Sequence, residues 1–337
     1  MDVLVAGGRH ARRALAGLDR AVASGDFGKI TSVVVAHDNE IVRESYFGMT
    51  RAGTLHDTRS LTTTVTGYLV GIAIDHGLLT SVDTEIAKIV SVGDAVQNPD
   101  PRKDAITVED LLTMSSPLDG DDSDMYSRGH QERMYLTPDW AKFALDLPVR
   151  DYQPWEQQPE EYPYGRRFSY CAAGAVLLGR ALEESIGEPI ETFAATRLFE
   201  PIGISGAEWA RTAEGMAMTA GGLRLTSCDL LALGQLALDG GMCGGRQVVS
   251  RGWIDASTTP KVEVDDETEY GYLWWLKTMG VDARDWRCHY MAGFGGSRVA
   301  VFPDDRLVVT VTSDNFSLPE AHELTERLIN QHVLAEL

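Results

Sequence analysis

The sequence is acidic and long enough to form a large hydrophobic core, with 337 residues of which 44% are apolar and 24% charged. The 50 Asp and Glu residues outnumber the 30 Lys and Arg residues and give a formal charge of −20. This balance argues against nucleic acid and anionic membranes as partners and favours solubility.

The amino-terminal stretch MDVLVAGGRHARRALAGL lacks the long apolar segment of a signal peptide. No apolar run approaches the roughly 20 residues that are needed to span a bilayer. We therefore expect a cytoplasmic protein without a membrane partner. We also expect no metal or other cofactor, because no metal-site spacing relates the four cysteines, Cys171, Cys228, Cys243 and Cys288.

The first elements in the chain are predicted to be a helix and a β-hairpin. Leucine and alanine recur at helical spacing from about Arg9 to Ser24. Two strand-like runs, Ile30–Ala36 and Ile41–Tyr46, flank the turn-forming residues His37–Asn39.

Helix signals dominate the middle of the chain, where an apolar helix is also expected to end at Gly187. Two long loops are expected, the acidic stretch Asp119–Arg133 and the Pro/Glu-rich stretch Asp151–Tyr164. The other predicted helix boundaries are a capping box at Thr107 and Asp110, an N-cap at Thr137 followed by Pro138, a stop at Pro148, and a start at Thr226 and Asp229.

The carboxyl-terminal part is predicted to form a second hairpin, in which Val299–Phe302 and Leu307–Ser313 flank Pro303–Asp305. A final helix is expected from about Glu320 to Leu334. Strands at both ends with helices between them predict an α+β fold, in which an antiparallel sheet built from both chain ends is flanked by helices and carries a large all-helical insertion. We expect residues 1–80 and 205–337 to form an α/β domain, residues 81–204 to form a mainly helical domain, and the active site to lie at their junction.

Three stretches carry candidate chemistry, and the first is RSLTTTVTGYLVGIAIDHG, in which Ser60 precedes a buried helix. A capping serine is the simplest interpretation. However, a capping role does not require three threonines of weak helix propensity, Thr62–Thr64, in the first turn. The free N–H groups at a helix start could also stabilise an oxyanion.

The second stretch, RRFSYCAAGAVLLG, places Tyr170 just before a helix, where a tyrosine ordinarily packs and makes one hydrogen bond. The third, HYMAGFGGSRVAVFP, leads from a glycine cluster into a strand. Such glycines form a bulge or permit the close approach of another backbone or a ligand.

Taken together and in this order, the three stretches resemble the serine β-lactamase and penicillin-binding-protein superfamily. The resemblance is strongest to its class C-like branch of esterases, amide hydrolases (of the 6-aminohexanoate-dimer hydrolase type) and acyltransferases, and it extends from about Phe27 to Leu334. Ser60–Thr63 is similar to the family's Ser-x-x-Lys, Tyr170–Ala172 to its Tyr-x-Asn, and Ala292–Gly296 to the glycine motif on the strand that faces the serine.

The resemblance implies a serine hydrolase or acyltransferase that acts on a small ester or amide through an acyl-enzyme on Ser60. The backbone N–H groups of Ser60 and Phe294 would form the oxyanion hole, and Tyr170 would transfer protons. The candidate substrate-binding residues are Tyr126, Gly293, Gly295 and Trp274.

The sequence departs from the family pattern at Thr63, which stands where the family has a catalytic lysine. A threonine neither accepts the serine proton at pH 7 nor lowers the pKa of Tyr170 as a cation would. Either another cation such as Arg166 or Arg167 activates Tyr170, or the fold has lost hydrolysis and binds a small molecule or catalyses non-covalent chemistry, or the threonine is a substitution that traps a substrate.

Two further expectations concern the rest of the site. A Ser-His-Asp hydrolase of another fold is disfavoured because the sequence lacks Gly-x-Ser-x-Gly, and His289 is interpreted as structural rather than catalytic. An anionic substrate would need Arg59, Arg166 or Arg298 near the serine.

Overall fold

The computed structural model describes residues 15–92, 95–281 and 284–337, and within these ranges the side chain of Ala16 is not described. The strands are β1 (Ile30–His37), β2 (Glu40–Tyr46), β3 (His56–Asp57), β4 (Glu208–Trp209), β5 (Leu223–Leu225), β6 (Met242–Cys243), β7 (Arg246–Gln247), β8 (Val262–Asp265), β9 (Thr268–Tyr270), β10 (Trp275–Val281), β11 (Arg284–Gly293), β12 (Ser297–Phe302) and β13 (Leu307–Ser313).

The α-helices are α1 (Leu18–Ala23), α2 (Leu61–Asp75), α3 (Pro101–Asp104), α4 (Val108–Leu112), α5 (Trp140–Asp146), α6 (Ala172–Ile186), α7 (Ile190–Ala194), α8 (Ser227–Leu238), α9 (Arg251–Ser257) and α10 (Ala321–His332). Short 3₁₀ turns connect several of them. No helix in the described part of the chain is long and apolar enough to cross a membrane.

Eight strands form one antiparallel sheet in the order β2-β1-β13-β12-β11-β10-β9-β8. The first and last strands of the described residues, β1 and β13, therefore lie side by side, with Val33 opposite Val311 and Val35 opposite Val309. This confirms the α+β prediction of an antiparallel sheet built from both chain ends and flanked by helices. Between residues 81 and 204 the described chain forms helices and loops without a strand, and the division into two domains stays a prediction.

Each face of the sheet packs on its own layer, because successive strand residues point to opposite faces. On one face, β-strand residues such as Ala300 and Phe302 pack with Leu328 of α10. On the other face, Val299 and Val301 belong to the core shared with α2 and α8. Gly234 in α8 lets that helix approach closely, since an added Cβ would lie 2.7 Å from Val299.

Most of the predicted boundaries match the structure, for local reasons. The β1–β2 hairpin turns at Asp38 and Asn39, whose φ angles of 51° and 64° are typical of a two-residue hairpin turn. The capping boxes of α4 and α8 are both present, and Gly187 ends α6 with φ 71°.

Two predictions need correction or restriction. The N-cap at Thr137 is wrong, because the carboxylate of Asp139 accepts the Lys142 N–H at 2.8 Å and α5 begins only after it. The helix expected from Arg9 to Ser24 is observed as a 3₁₀ turn, Leu15–Gly17, followed by α1. Its first six residues lie outside the described residues.

Candidate active site

Ser60 lies at the amino end of α2, and its hydroxyl does not cap the helix. Its backbone is helical, with φ −69° and ψ −6°, and its side chain makes no capping hydrogen bond. The preceding residue, Arg59, has φ 50°, a left-handed conformation that non-glycine residues rarely adopt. The simple capping interpretation therefore does not hold, and the half-buried hydroxyl is available for other contacts.

The three threonines of the first turn are buried, and each side chain donates to a backbone carbonyl. These hydrogen bonds satisfy hydroxyl groups that would otherwise be costly to bury, and they explain why β-branched residues are accommodated here. Thr62 donates to the carbonyl of Arg59 at 2.7 Å, Thr63 to that of Ser60 at 2.8 Å, and Thr64 to that of Leu273 at 2.7 Å.

The structure brings Tyr170 to Ser60 and Thr63, as the order of the motifs predicted. Both hydroxyls interact with the Tyr170 phenol and act to lower its pKa. Burial has the larger, opposite effect, so the pKa of Tyr170 is raised above the usual value for tyrosine. At neutral pH the phenol is therefore protonated and acts as a hydrogen-bond donor.

The backbone of Tyr170 is held by the loop that carries Asp122. The Asp122 N–H donates to the Tyr170 carbonyl at 2.8 Å. The Asp122 carboxylate in turn accepts the N–H of Ala172, at the first turn of α6, at 2.7 Å. Burial raises the pKa of Asp122, and its backbone hydrogen bonds with Ala172 and Gln131 oppose that rise. The loop that carries Asp122 thus fixes the backbone of residues 170–172, and with it the position of the Tyr170 side chain.

The glycine motif at the end of β11 packs directly on the start of the serine helix. An added Cβ on Gly293 would lie 2.5 Å from both the Thr58 carbonyl oxygen and Leu61 Cδ1. A side chain larger than that of glycine would collide here, so Gly293 lets the end of β11 pack against the residues on both sides of Ser60. Among the described residues, neither the Ser60 nor the Phe294 backbone N–H forms a hydrogen bond.

Aromatic rings and one arginine line the surface beside the glycine motif. Phe294 is 58% exposed and stacks on Phe316, with ring centroids 5.9 Å apart. The Arg59 guanidinium lies 5.0 Å above the Phe316 ring and is paired with Asp57 at 3.0 Å. Tyr135 is near enough to both charges for them to influence its pKa, which burial raises.

Aromatic side chains pack against the Tyr170 ring and against one another. Tyr170 stacks on Trp275, with centroids 5.9 Å apart and planes inclined by 13°. Tyr270 meets the same indole edge-on at 5.0 Å, and Phe168 lies 5.1 Å from the Tyr270 ring. Tyr270 pairs with Trp275 across β9 and β10, so the sheet fixes their arrangement.

The remaining predicted site residues lie elsewhere. Trp274 is buried in the core against Tyr68 and His289, whereas Tyr126 is 90% exposed on its loop. Gly295 packs against the Phe316 ring rather than lining an open pocket. His289 is buried, which lowers its pKa to about 3 and keeps its imidazole neutral.

The arginines considered at the sequence level are engaged in other contacts. Arg166 pairs with Glu109 at 2.7 Å and with Asp110, and Arg167 lies over the Tyr152 ring. Arg298 is buried and pairs with Glu326 at 3.1 Å. The groups that influence the pKa of Tyr170 include no cation. Within the described residues no cluster of His, Cys, Asp or Glu could hold a metal ion.

The sequence analysis missed Asp122 and Tyr270 and chose Trp274 instead of its neighbour. Trp275 is the first residue of β10 and Trp274 immediately precedes it. Strand alternation therefore points the two indoles to opposite faces of the sheet. The sequence does not tell which of these faces holds Tyr170. Asp122 lies in an acidic loop that gives no sign of its contact with α6.

Comparisons with known proteins agree with this fold. The chain is 24% identical over 228 residues to the 6-aminohexanoate-dimer hydrolase of Paenarthrobacter ureafaciens, an alignment that covers 66% of this chain but only 55% of that protein. The fold is similar to that of EstCE1, a hydrolase with promiscuous acyltransferase activity, with a TM-score of 0.72 at 13% identity over 98% of this chain and 99% of that one.

A penicillin binding protein from Bacillus halodurans has a TM-score of 0.69 at 18% identity, over 91% of this chain and 98% of that one. At such identities the solved structures show a shared fold. A family model described as Beta-lactamase matches residues 19–334. The chain therefore belongs to the Beta-lactamase family, within the serine β-lactamase and penicillin-binding-protein superfamily that its motifs resemble.

Proposed function

We propose that the protein is a serine hydrolase or acyltransferase that acts on a small-molecule ester or amide through an acyl-enzyme on Ser60. The observation that carries the proposal is the uncapped Ser60 hydroxyl at the start of α2, which is near enough to the Tyr170 phenol to act on its pKa. A hydroxyl at a helix start beside a phenol is placed as a nucleophile would be, with a proton donor at hand for the leaving group.

The proposed roles follow from the positions of the groups. Ser60 Oγ attacks the substrate carbonyl and loses its proton to solvent water, and the N–H groups of Ser60 and Phe294 receive the developing oxyanion. Each such donor contributes about 3 kcal/mol in other hydrolases. Tyr170, protonated at neutral pH, donates to the leaving group, and Thr63 holds the first turn through its hydrogen bond to the Ser60 carbonyl.

The raised pKa of Tyr170 limits the reaction. A neutral phenol cannot take the serine proton, and general-base catalysis commonly contributes a factor of about 10²–10⁴. Activated esters, which need little help at the leaving group, are therefore the substrates on which turnover should be measurable. Amide hydrolysis should be much slower unless another proton acceptor enters the site.

The same observation favours a second candidate function, namely a β-lactamase-fold protein that binds a small molecule, or catalyses non-covalent chemistry, without forming an acyl-enzyme. In that case the hydroxyls of Ser60, Thr63 and Tyr170 would serve as hydrogen-bonding groups for a ligand.

Covalent labelling separates the two functions. The protein is incubated with a fluorophosphonate probe and with p-nitrophenyl butyrate, and the modified residue is identified by mass spectrometry. The proposal predicts modification at Ser60 that is absent in Ser60→Ala, and a slow release of p-nitrophenol that is lost in the same variant.

A matched control is Ser115→Ala, which removes a hydroxyl that bonds to Thr113 rather than to the proposed nucleophile. It should label like the unsubstituted protein. A folded protein whose Ser60 resists labelling over the full pH range, but which is stabilised by small molecules, would instead support the binding function.

A further inference from the structure

Tyr270 places a buried phenol beside the candidate site, and the hydroxyl of this phenol makes no hydrogen bond to any described residue. The side chain is 0% exposed, and its hydroxyl has no hydrogen-bond partner among the described residues. The Thr63 hydroxyl is close enough to influence the pKa of Tyr270, although the two groups do not form a hydrogen bond. Burying a hydroxyl without a hydrogen-bond partner costs free energy of folding. A bound ligand could supply the missing partner.

The groups around this phenol form a small site rich in oxygen atoms and aromatic rings. The hydrogen of the Thr63 hydroxyl is directed at the Ser60 carbonyl, so the threonine offers acceptor lone pairs. The oxygens of Tyr170 and Tyr270 stand beside it, and Trp275 contacts both rings. Oxygen acceptors next to aromatic rings are the usual environment of an ammonium group.

The four arginines considered as activating or substrate-binding cations are engaged elsewhere. Arg59, Arg166 and Arg298 are each paired with a carboxylate, and Arg167 lies over a tyrosine ring. The buried carboxylate of Asp122 lies near Tyr170 and acts to raise its pKa, so the local field is negative. This field would stabilise the ammonium that forms once an amine bound at this position has accepted a proton.

We propose that the oxygen atoms of Thr63, Tyr170 and Tyr270 bind the primary amine of a substrate or of an acyl acceptor, and that this amine takes the proton from Ser60. The inference rests on the proposed function and names the class of molecule that the site serves. An ammonium has three donors, which match the oxygens of these three residues.

The proton balance closes without a further reactant. The neutral amine accepts the Ser60 proton as the bond from Oγ to the carbonyl carbon forms. The resulting ammonium, held by the surrounding oxygens, returns the proton to the departing oxygen or nitrogen as the bond to the leaving group breaks. Burial favours the neutral amine, since it lowers the pKa of a basic group from its usual value of about 10.

The rate of Ser60 labelling by the fluorophosphonate probe tests the inference. The rate is measured at increasing concentrations of n-propylamine. The control is tert-butylamine at equal free-base concentration and ionic strength. The two amines have similar basicity, but the carbon next to nitrogen is unbranched only in n-propylamine. We expect saturable acceleration of about tenfold or more by n-propylamine, and only a weak linear effect of tert-butylamine.

Tyr270→Phe removes the unpartnered hydroxyl alone and should raise the half-saturating n-propylamine concentration about tenfold. Tyr68→Phe is the matched control: it also removes a buried phenol oxygen, but one that donates to the Leu233 carbonyl away from the site. That variant should keep the half-saturating concentration. If Tyr270→Phe does not fold, the comparison of the two amines still decides.

The outcomes separate this inference from the proposed function. Labelling of Ser60 that is insensitive to n-propylamine, or equally and linearly accelerated by both amines, overturns the amine site but leaves the nucleophile. An absence of labelling under all conditions removes the proposed function and the inference together.

Two esters distinguish the source of the amine. If it belongs to the substrate, p-nitrophenyl 3-aminopropanoate should be cleaved about tenfold or more faster than the propanoate ester without added amine. If it belongs to the acceptor, the protein should form N-propylpropanamide from the propanoate ester and n-propylamine faster than the two reagents do alone, as measured by mass spectrometry, and Ser60→Ala should return the rate to that of the uncatalysed reaction. Failure of both patterns contradicts the proposed site.

Discussion

The Tyr170 ring is stacked on the indole of Trp275, with centroids 5.9 Å apart and planes only 13° from parallel. The stack continues through Tyr290, 6.2 Å from Trp275, to the guanidinium of Arg298, which lies 4.4 Å over the Tyr290 ring. Because Trp275 and Tyr290 pair across β10 and β11, the sheet itself orients the proposed proton donor.

Replacing Trp275 should therefore impair proton transfer more than binding. We expect Trp275→Leu to slow Ser60 labelling by about tenfold or more, because small displacements of reacting groups are costly in rate. Trp275→Phe keeps an aromatic ring, so its rate of Ser60 labelling should lie between those of Trp275→Leu and the unsubstituted protein. The measurement is kcat and KM for p-nitrophenyl butyrate, with kcat carrying the loss. Equal rates in Trp275→Leu and the unsubstituted protein would show that the stack does not position Tyr170.

Thr63→Lys should create a conventional base. The new ammonium would lie among the hydroxyls of Ser60, Tyr170 and Tyr270, where it lowers the pKa of Tyr170. We expect kcat/KM for p-nitrophenyl butyrate to rise by about 10²–10⁴, and the dependence on added amine to disappear. Thr63→Val is the control, since it keeps the shape and removes the hydroxyl. A folded Thr63→Lys protein with unchanged activity would mean that the site is built for other chemistry.

The pH profile should report the same phenol. Because the pKa of Tyr170 is raised, its ionised fraction grows about tenfold per pH unit through the neutral range and does not level off there. We expect kcat/KM without amine to rise continuously from pH 7 to pH 9. In Thr63→Lys the rise should level off at lower pH. A rise that persists unchanged in Tyr170→Phe would exclude this tyrosine as the titrating group.

Gly293→Ala should disrupt the junction between β11 and α2. The added Cβ would lie 2.5 Å from the Thr58 carbonyl oxygen, so the strand end or the helix start must move. We expect a loss of Ser60 labelling of about 10²-fold and a lower Tm. Gly206→Ala is the control, because nothing lies within 4 Å of its added Cβ. Normal labelling in Gly293→Ala would argue that the Phe294 N–H has no part in catalysis.

His289 should make the protein less stable in acid. Its pKa is lowered from 6.5 to about 3 by burial, so between these values the unfolded chain binds a proton that the folded chain does not. Stability is therefore complete above about pH 6.5 and falls as the pH is lowered towards 3. At pH 4 this residue accounts for a loss of up to about 3 kcal/mol.

His289→Phe tests this loss, because it keeps a ring against Trp274 and removes the titrating nitrogen. Denaturant unfolding at pH 7 and pH 4 gives the difference in free energy for each protein. The variant should lose less stability between the two pH values. An equal loss in both proteins would assign the acid sensitivity to other groups, such as His322, whose pKa is lowered to about 4.

The sequence predicted those features of the fold that depend on local patterns. The Asp38-Asn39 turn and the capping boxes at Thr107 and Thr226 are written in a few adjacent residues, and all three are observed. Thr137 was misassigned because Asp139, two residues later, caps more effectively and both fit the same short pattern.

The contacts at the candidate site could not be predicted from the sequence, because they join segments that are distant along the chain. Nothing in a strand of alternating residues tells that Trp275 rather than Trp274 meets Tyr170. The same holds for Asp122, whose carboxylate is 50 residues from the N–H that it accepts. That Arg166 turns towards Glu109 and Asp110 also follows only from the packing of α4.

The pairing of β1 with β13 has a consequence for synthesis. Residues 30–37 pair with β2 on one edge, but their other edge must wait for residues 307–313, so the nascent chain carries an apolar strand with one unpaired edge until β13 has been synthesised. Such distant contacts slow folding, and an unpaired strand edge promotes aggregation. Production at reduced temperature or with chaperones should therefore raise the yield of native protein.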